Sequence, residues 1–287
     1  MNEIVEKRRL GPDVFRMELV YPKLARKARP GQFVIVRASE DGERIPLTIA
    51  DADPEAGSIA LIFQVVGKST TLLSRMEPGD EILDVVGPLG VPTEIERFGR
   101  VLCIGGGIGA APLYPVAKAL KAAGNAVTSI LGGRSKNLVI LENEFRAISD
   151  AVVVTTDDGT YGRKGFVTDA LNDLLAAGDR FDRAWAIGPV PMMKAVCEVT
   201  RGAGIPTVVS LNPIMVDGTG MCGGCRVIVG GKVKFACVDG PEFDGHAVDF
   251  DTLAKRLTTY RDRERRDHEA CKIGLDKPGK KGSEANG

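Results

Sequence analysis

The sequence predicts a mixed architecture in three parts: a β-barrel, an α/β domain with a parallel sheet, and a small Cys-rich block. Three observations predict it. Short β-rich runs at near-regular spacing, punctuated by Gly and Pro, fill residues 1–97. Apolar strands alternate with helical stretches over residues 98–212, the mark of a parallel sheet covered on both faces. Residues 213–250 combine a run of glycines with three of the six cysteines. Residues 251–287 complete the division as a C-terminal helix and tail.

In the first part the strand candidates are residues 13–20, 32–37, 59–66 and 81–86, the last after the turn signal Pro78-Gly79-Asp80. Arg44-Ile45-Pro46-Leu47-Thr48 ends a further strand-like stretch, and residues 69–76 form the one helical stretch there. In the second part, residues 100–104, 126–131, 151–155, 184–187 and 207–211 are expected strands. Residues 110–123, 138–149, 166–177 and 192–203 are expected helices. The third part holds one hairpin that turns at Gly230-Gly231. A helix is expected over 251–270, with Leu253, Leu257 and Tyr260 on one side, then a loose tail at 277–283.

The chain has 287 residues, 44% of them apolar and 26% charged, which fits a globular enzyme and excludes bulk disorder. No window holds about 18 uncharged apolar residues, so no membrane-spanning helix is expected. Glu3, Glu6 and Lys7 stand where a secretory leader needs an apolar run. A cytoplasmic location is therefore expected, and the cysteines are no disulfide scaffold. The 38 basic residues equal the 38 acidic ones, so neither nucleic acid nor an anionic membrane is an expected partner.

Gly105-Gly106-Gly107-Ile108-Gly109-Ala110 fits G-x-G-x-x-A between an expected strand and an expected helix, the context a dinucleotide-binding turn needs. Gly105, Gly107 and Gly109 let the backbone approach a pyrophosphate, and the helix start offers free N–H groups. The alternative is a tight turn with no ligand. An NAD site commonly carries an acidic residue about 20 positions on. Gly132-Gly133-Arg134-Ser135-Lys136 stands there instead. Arg134 and Lys136 suit the 2′-phosphate of NADP, or lie solvated along the ribose; the residues leave both open.

Asp217, Cys222, Cys225 and Cys237 read D-x4-C-x2-C-x11-C, among Gly218, Gly220, Gly223 and Gly224. Plant-type [2Fe–2S] sites use C-x4-C-x2-C with a distant fourth Cys. Here Asp takes the first position. A Gly-rich loop can turn sharply and aim N–H groups at sulfur. The alternatives are a structural zinc site of three thiolates and one oxygen, and buried free thiols. Cys103 and Cys197 read as core. Cys271 reads as free in the charged tail, His246 as a surface residue, and His268 as isolated.

No catalytic acid–base pair or nucleophile stands out. A hydride carrier delivers two electrons together and an iron–sulfur cluster takes one, so a flavin is expected between them. The first part is its natural place. Arg44 can pair with a pyrophosphate, and Thr48 can hydrogen-bond the flavin ring. Gly67-Lys68-Ser69-Thr70 opens the short helix as a second anion site. The alternative for both motifs is a surface turn with a helix cap.

In this order the motifs resemble those of ferredoxin–NADP reductase-like electron-transfer subunits, over about residues 1–250. Two branches are close: electron-transfer subunits of dihydroorotate dehydrogenase, and small subunits of NADH-dependent reduced ferredoxin:NADP oxidoreductases, also called sulfide dehydrogenase subunits. The resemblance implies a ferredoxin reductase-like fold: a β-barrel flavin domain, an α/β parallel-sheet nucleotide-binding domain and a small Cys-rich [2Fe–2S] domain. It implies FAD near Arg44, Pro46, Leu47, Thr48, Gly67, Ser69 and Thr70. It implies NAD(H), rather than NADP, on the second domain, with Asp157, Asp158, Gly188 and Met192 near the nicotinamide. Met193 and Met192 have helix packing as their alternative. Asp217, Cys222, Cys225 and Cys237 become the metal ligands.

Asp217 favours the second branch, since the first has Cys there. That branch implies a large flavoprotein partner with FAD and [4Fe–4S] clusters, ferredoxin reached through the complex, and flavin-based electron bifurcation. A diaphorase-type subunit serving dihydroorotate dehydrogenase or a sulfur-reducing partner is the second reading. A regulatory module with a zinc knob is the third. The helix expected at 251–270 is a candidate partner-facing element.

Overall fold

The computed structural model describes residues 2–40 and 42–272, so the tail expected at 277–283 lies outside the described residues. Six antiparallel strands open the chain: β1 (Ile4–Gly11), β2 (Val14–Val20), β3 (Phe33–Arg37), β4 (Ile45–Asp53), β5 (Ser58–Gln64) and β6 (Asp84–Leu89). Their order is β1-β2-β5-β4-β3-β6. The start of β1 then meets the chain just before β6: Ile4 N–H donates to the Asp80 carbonyl at 2.9 Å, and Ile82 N–H to that of Asn2 at 3.0 Å. Those bonds close the sheet into a barrel and remove its free edges. Met17, Leu19, Val34, Val36, Leu61 and Phe63 fill the interior. The helices α1 (Pro22–Ala25) and α2 (Lys68–Ser74) cover its ends.

The second sheet has seven strands: β7 (Arg100–Gly106), β8 (Ala126–Gly133), β9 (Ala151–Thr156), β10 (Arg163–Lys164), β11 (Arg183–Ile187), β12 (Thr207–Ser210) and β15 (Glu242–Asp244). Their order is β10-β9-β8-β7-β11-β12-β15, parallel except for β15 at the edge. Helices α3 (Ala110–Ala122) and α4 (Glu142–Ile148) pack on one face, around Leu113, Val116, Phe145 and Trp185. Helices α5 (Val167–Ala176) and α6 (Val190–Gly202) pack on the other, around Ile104, Leu171, Met193 and Val196. Val14, Ala50 and Ile62 of the barrel join the cluster under α3, and Lys118 pairs with Asp51 at 3.2 Å. The barrel therefore rests on α3.

Between the last two strands of that sheet lie the expected hairpin, β13 (Arg226–Val229) and β14 (Lys232–Phe235), and a short helix α7 (Ala236–Asp239). The C-terminal helix is not continuous. It divides into α8 (Phe250–Leu257) and α9 (Arg261–Lys272).

Several details differ from the sequence reading. Strand β1 was hidden by Glu6, Lys7, Arg8 and Arg9; apart from buried Ile4 the strand is half-buried or exposed, so charge there costs little. The Arg44–Thr48 motif opens β4 rather than ending a strand. Strand β6 lies further on than residues 81–86 and contains Pro88, which falls at the register shift opposite Phe33–Ile35 of β3, where a strand tolerates proline. Helix α4 starts late because Leu141 adopts the left-handed conformation, φ 59°, which an α-helix cannot include. Cys271 is a free thiol, as expected, but it is buried in α9 rather than set in a tail, because α9 lies on α2: the Arg75 guanidinium donates to the Cys271 carbonyl at 3.4 Å. His268 is not isolated; its Nδ1 lies 3.5 Å from the Thr71 hydroxyl. His246 is half-buried, with Nε2 3.0 Å from the Thr200 hydroxyl, so it is not a surface residue. Among the described residues no helix is long and apolar enough to cross a membrane.

The three parts meet at residues 240–242. Val91 N–H donates to the Gly240 carbonyl at 2.6 Å, and Leu211 N–H to that of Pro241 at 2.9 Å. The Thr93 hydroxyl donates to Glu242 at 2.8 Å. Burial pushes the Glu242 carboxyl up to about 7, against the pull of the Thr93 hydroxyl, the Trp185 indole and the Arg183 guanidinium. An acid whose folded value lies above its ordinary value binds its proton more tightly when folded. Its contribution to stability is complete below about pH 4.5 and is lost as pH rises to about 7. Glu242→Gln keeps an acceptor for Thr93 and carries no charge. Denaturant unfolding should show E242Q and the natural chain alike near pH 4.5, and E242Q more stable by up to about 3 kcal/mol at pH 8. A difference that does not grow with pH would remove Glu242 as the cause.

Candidate functional site

The six parallel strands run 4-3-2-1-5-6 in their order of appearance, so the sheet reverses between β7 and β11. The crevice at the carboxyl ends of two such strands is where open α/β sheets bind ligands. Strand β7 delivers Gly105-Gly106 to that point, opposite Ile187 of β11. A single 3-10 turn, Gly107–Gly109, leads into α3. Side chains are excluded here for identifiable reasons. A Cβ on Gly109 would lie 2.2 Å from the Ile187 carbonyl oxygen, and one on Gly106 would lie 2.2 Å from the Met192 sulfur. Gly107 differs: its φ is +56° and a Cβ would meet nothing within 4 Å. Its free side is open space beside the start of a 13-residue helix. That cradle fits a dinucleotide pyrophosphate.

The structure brings Gly188 and Met192 to the same crevice, since the Met192 sulfur lies over both Gly106 and Gly188. Met193 points the other way and is fully buried in the core. Arg134, Asp157 and Asp158 come together at the ends of β8 and β9. Asp158 N–H donates to the Arg134 carbonyl at 3.1 Å, and Asp157 N–H to that of Gly133 at 3.0 Å. Thr160 joins the two loops. Its hydroxyl accepts from Lys136 N–H at 3.0 Å and donates to Asp158 at 2.7 Å. That hydroxyl, first among the causes, holds the Asp158 carboxyl below its ordinary range. Arg134 is exposed.

In the barrel, Pro46, Leu47 and Thr48 pair with Ile35, Val34 and Phe33 of β3. Arg44 is exposed at the mouth, with Asp84 at a loose 3.8 Å. Gly67, Ser69 and Thr70 form the start of α2. Thr70 spends its hydroxyl on its own cap, accepting from Val66 N–H at 3.0 Å and Gly67 N–H at 3.1 Å. Ser69 donates to Glu43 at 3.3 Å, which draws the two motifs together. A Cβ on Gly67 would meet nothing within 4 Å, so that face is open. An exposed guanidinium held only loosely by Asp84, beside an open helix start, fits a pyrophosphate, provided exposed Glu43 turns outward.

The four expected metal ligands fall into two pairs. Asp217 accepts from Cys222 N–H at 2.7 Å, and the Cys225 and Cys237 sulfurs lie 3.1 Å apart. Thr219 N–H also donates to Asp217 at 2.8 Å, and these backbone donors hold its carboxyl below the ordinary range. Cys225 and Cys237 are buried and Cys222 is exposed. Among the described residues no three His, Cys, Asp or Glu side chains converge as a single-ion site. Three thiols and one carboxylate, two of the thiols in contact and the carboxylate tied to the Cys222 main chain, form a donor set that fits a two-iron cluster. The loop sits directly on the barrel: a Cβ on Gly218 would lie 2.6 Å from Leu89 and 2.9 Å from Ile35. Cys103 and Cys197 are core residues, and burial pushes both thiols up to about 12.

Two substitutions separate fold from binding. Gly109→Ala should destabilise the chain by about 1–3 kcal/mol in thermal unfolding, because a rigid backbone oxygen occupies the new methyl's place. Gly107→Ala should cost only about 1 kcal/mol, yet weaken NADH binding at least fivefold in a calorimetric titration. Unchanged NADH affinity in Gly107→Ala would remove this turn from the binding site.

Residues 103–198 match the oxidoreductase NAD-binding domain, and residues 212–249 match the iron–sulfur cluster binding domain of dihydroorotate dehydrogenase B. A Thermotoga maritima homologue of the dihydroorotate dehydrogenase B (NAD+) electron transfer subunit is 56% identical, over 94% of this chain and 95% of its own. The electron transfer subunit of Geobacillus thermodenitrificans is 38% identical, over 84% of this chain and 94% of its own. A chain from the solved structure of an NADH-dependent reduced ferredoxin–NADP oxidoreductase, described for flavin-based electron bifurcation, superposes with a TM-score of 0.90. It is 55% identical and covers 94% of this chain and 98% of its own. The fold is ferredoxin reductase-like. The chain belongs to the family of dihydroorotate dehydrogenase B-type electron transfer subunits, NAD(H)-linked iron–sulfur oxidoreductase subunits that serve a larger partner.

Proposed function

We propose that this chain is the NAD(H)-linked small subunit of a bifurcating NAD/NADP/ferredoxin transhydrogenase. The observation that carries the reading is the near-full-length likeness to a subunit of a reduced ferredoxin–NADP oxidoreductase, at 55% identity. Asp217 in the first ligand position supports it, as does the seat of the cluster loop on barrel strands β3 and β6. When bound, FAD interconverts the two-electron chemistry of NAD(H) and the one-electron chemistry of an iron–sulfur cluster.

The chain's own residues would do the following. Asp217 and Cys222, with Cys225 and Cys237, would hold a [2Fe–2S] cluster. Arg44 and the start of α2 at Gly67, Ser69 and Thr70 would bind the FAD pyrophosphate, and Pro46, Leu47 and Thr48 would line the flavin. Gly105, Gly107 and Gly109 would take the NAD(H) pyrophosphate. Gly188 and Met192 would border the nicotinamide, while Arg134, Asp157 and Asp158 would bound the crevice where β8 and β9 end. The proposed partner is a large flavoprotein with its own FAD and [4Fe–4S] clusters, through which ferredoxin is reached.

The second reading, a diaphorase-type subunit for dihydroorotate dehydrogenase, has one observation in its favour: the names of the 56% and 38% identical relatives. Co-purification from the native cell decides between them. A large subunit that oxidises NADPH and reduces ferredoxin supports the first, and one that oxidises dihydroorotate supports the second.

For the chain itself, anaerobic purification should give about one flavin and two irons per chain, with a [2Fe–2S] EPR signal after dithionite. Flavin with zinc and no iron would end the cluster reading. Asp217→Cys should keep the iron and shift the cluster midpoint. An identical midpoint in a redox titration would mean that Asp217 is not a ligand.

A further inference from the structure

Helix α8 is held rigidly. Asp249 caps its start by accepting from Thr252 N–H at 2.9 Å, Phe250 and Leu253 are buried, and Lys194 of α6 pairs with Asp251 at 2.8 Å. From the last turn of this helix Arg256 reaches back to the cluster loop. Its guanidinium donates to the Gly224 carbonyl at 3.1 Å. Gly224 lies between Cys222 and Cys225, and its own N–H lies 3.5 Å from the Cys222 sulfur. Arg256 is therefore one residue removed from a ligand atom. It is half-buried, and among the described residues it forms no ion pair with a carboxylate.

We propose that Arg256 is a positioning residue for the cluster loop, and that its guanidinium raises the reduction potential of the cluster this loop holds. The proposal rests on the reading of Asp217, Cys222, Cys225 and Cys237 as [2Fe–2S] ligands. Two physical effects support it. First, three thiolates and a carboxylate make the loaded site anionic, and reduction adds one more negative charge. A nearby cation with no carboxylate to neutralise it favours the reduced form. Second, a charge-assisted bond to the Gly224 carbonyl fixes the backbone between two ligands. It also polarises the peptide group shared with Cys225, which strengthens that N–H as a donor. The sequence carries no signal for this contact, since Arg256 lies 31 positions beyond Cys225 in a helix rich in charge.

The test uses the full chain, purified anaerobically with its cofactors, in the natural form and as Arg256→Gln and Arg256→Lys. Iron per chain is assayed first, and the midpoint is then read by an EPR-monitored redox titration. R256Q should retain iron and show a lower midpoint. At the natural midpoint its ratio of reduced to oxidised cluster should fall about tenfold, equal to about 59 mV for a one-electron couple. R256K, a point charge without the planar fork, should fall between the two. A loaded R256Q with the natural midpoint overturns the proposal and leaves the cluster reading intact. If R256Q loses its iron, R256K decides: a lowered midpoint supports the proposal and an unchanged one overturns it. A natural chain without iron overturns the cluster reading and this proposal together.

Discussion

The molecule depends on one constraint: three separately folded sheets must be held in contact where residues 240–242 pass between them. Main-chain bonds from Val91 and Leu211 to Gly240 and Pro241 tie the barrel and the parallel sheet to the Cys-rich block. Strand β15 then adds to the edge of the parallel sheet beside β12. These bonds are directional and short, so they fix relative placement in a way that apolar packing alone does not. The carboxyl of Glu242, bonded to Thr93, lies at the same seam. A buried carboxyl is a costly choice, and it makes the junction answer to pH.

The same economy of space recurs at each candidate site. At the β7–β11 crevice, backbone and the Met192 sulfur take the room that side chains would need, so a ligand meets main chain. At the cluster loop, Gly223 holds φ +66° beside Cys222, a conformation that other residues adopt only at a cost. The loop is also pressed against Ile35 and Leu89 of the barrel. That seat follows from packing rather than from long reaching side chains. The C-terminal segment adds a second tie: α8 touches the cluster loop through Arg256, and α9 rests on α2 through Arg75 and His268.

Much of this was legible in the chain. The parallel sheet was readable because buried parallel strands are continuous apolar runs, and helices between them have an apolar stripe. The Cys spacing and the Gly turn were readable because local backbone geometry demands those residues in that order. Strand β1 was not readable, because only its first residue, Ile4, is buried and its charges leave no apolar pattern. The burial of Cys271 was equally hidden, since it depends on a contact with α2 almost 200 residues away.

The sequence alone determined the fold class, the alternation that builds the sheets, and the residue types available for anions and metal. These are local properties, set by periodicity and by backbone freedom. Tertiary structure decided the partners. It placed Met192 over two glycines, turned Glu43 toward Ser69, tied Asp217 to the Cys222 main chain, set Cys225 against Cys237, and brought Arg256 to Gly224. Contacts between residues far apart in the chain are fixed by how rigid elements pack. That packing is a property of the whole core, and no short stretch of sequence contains it.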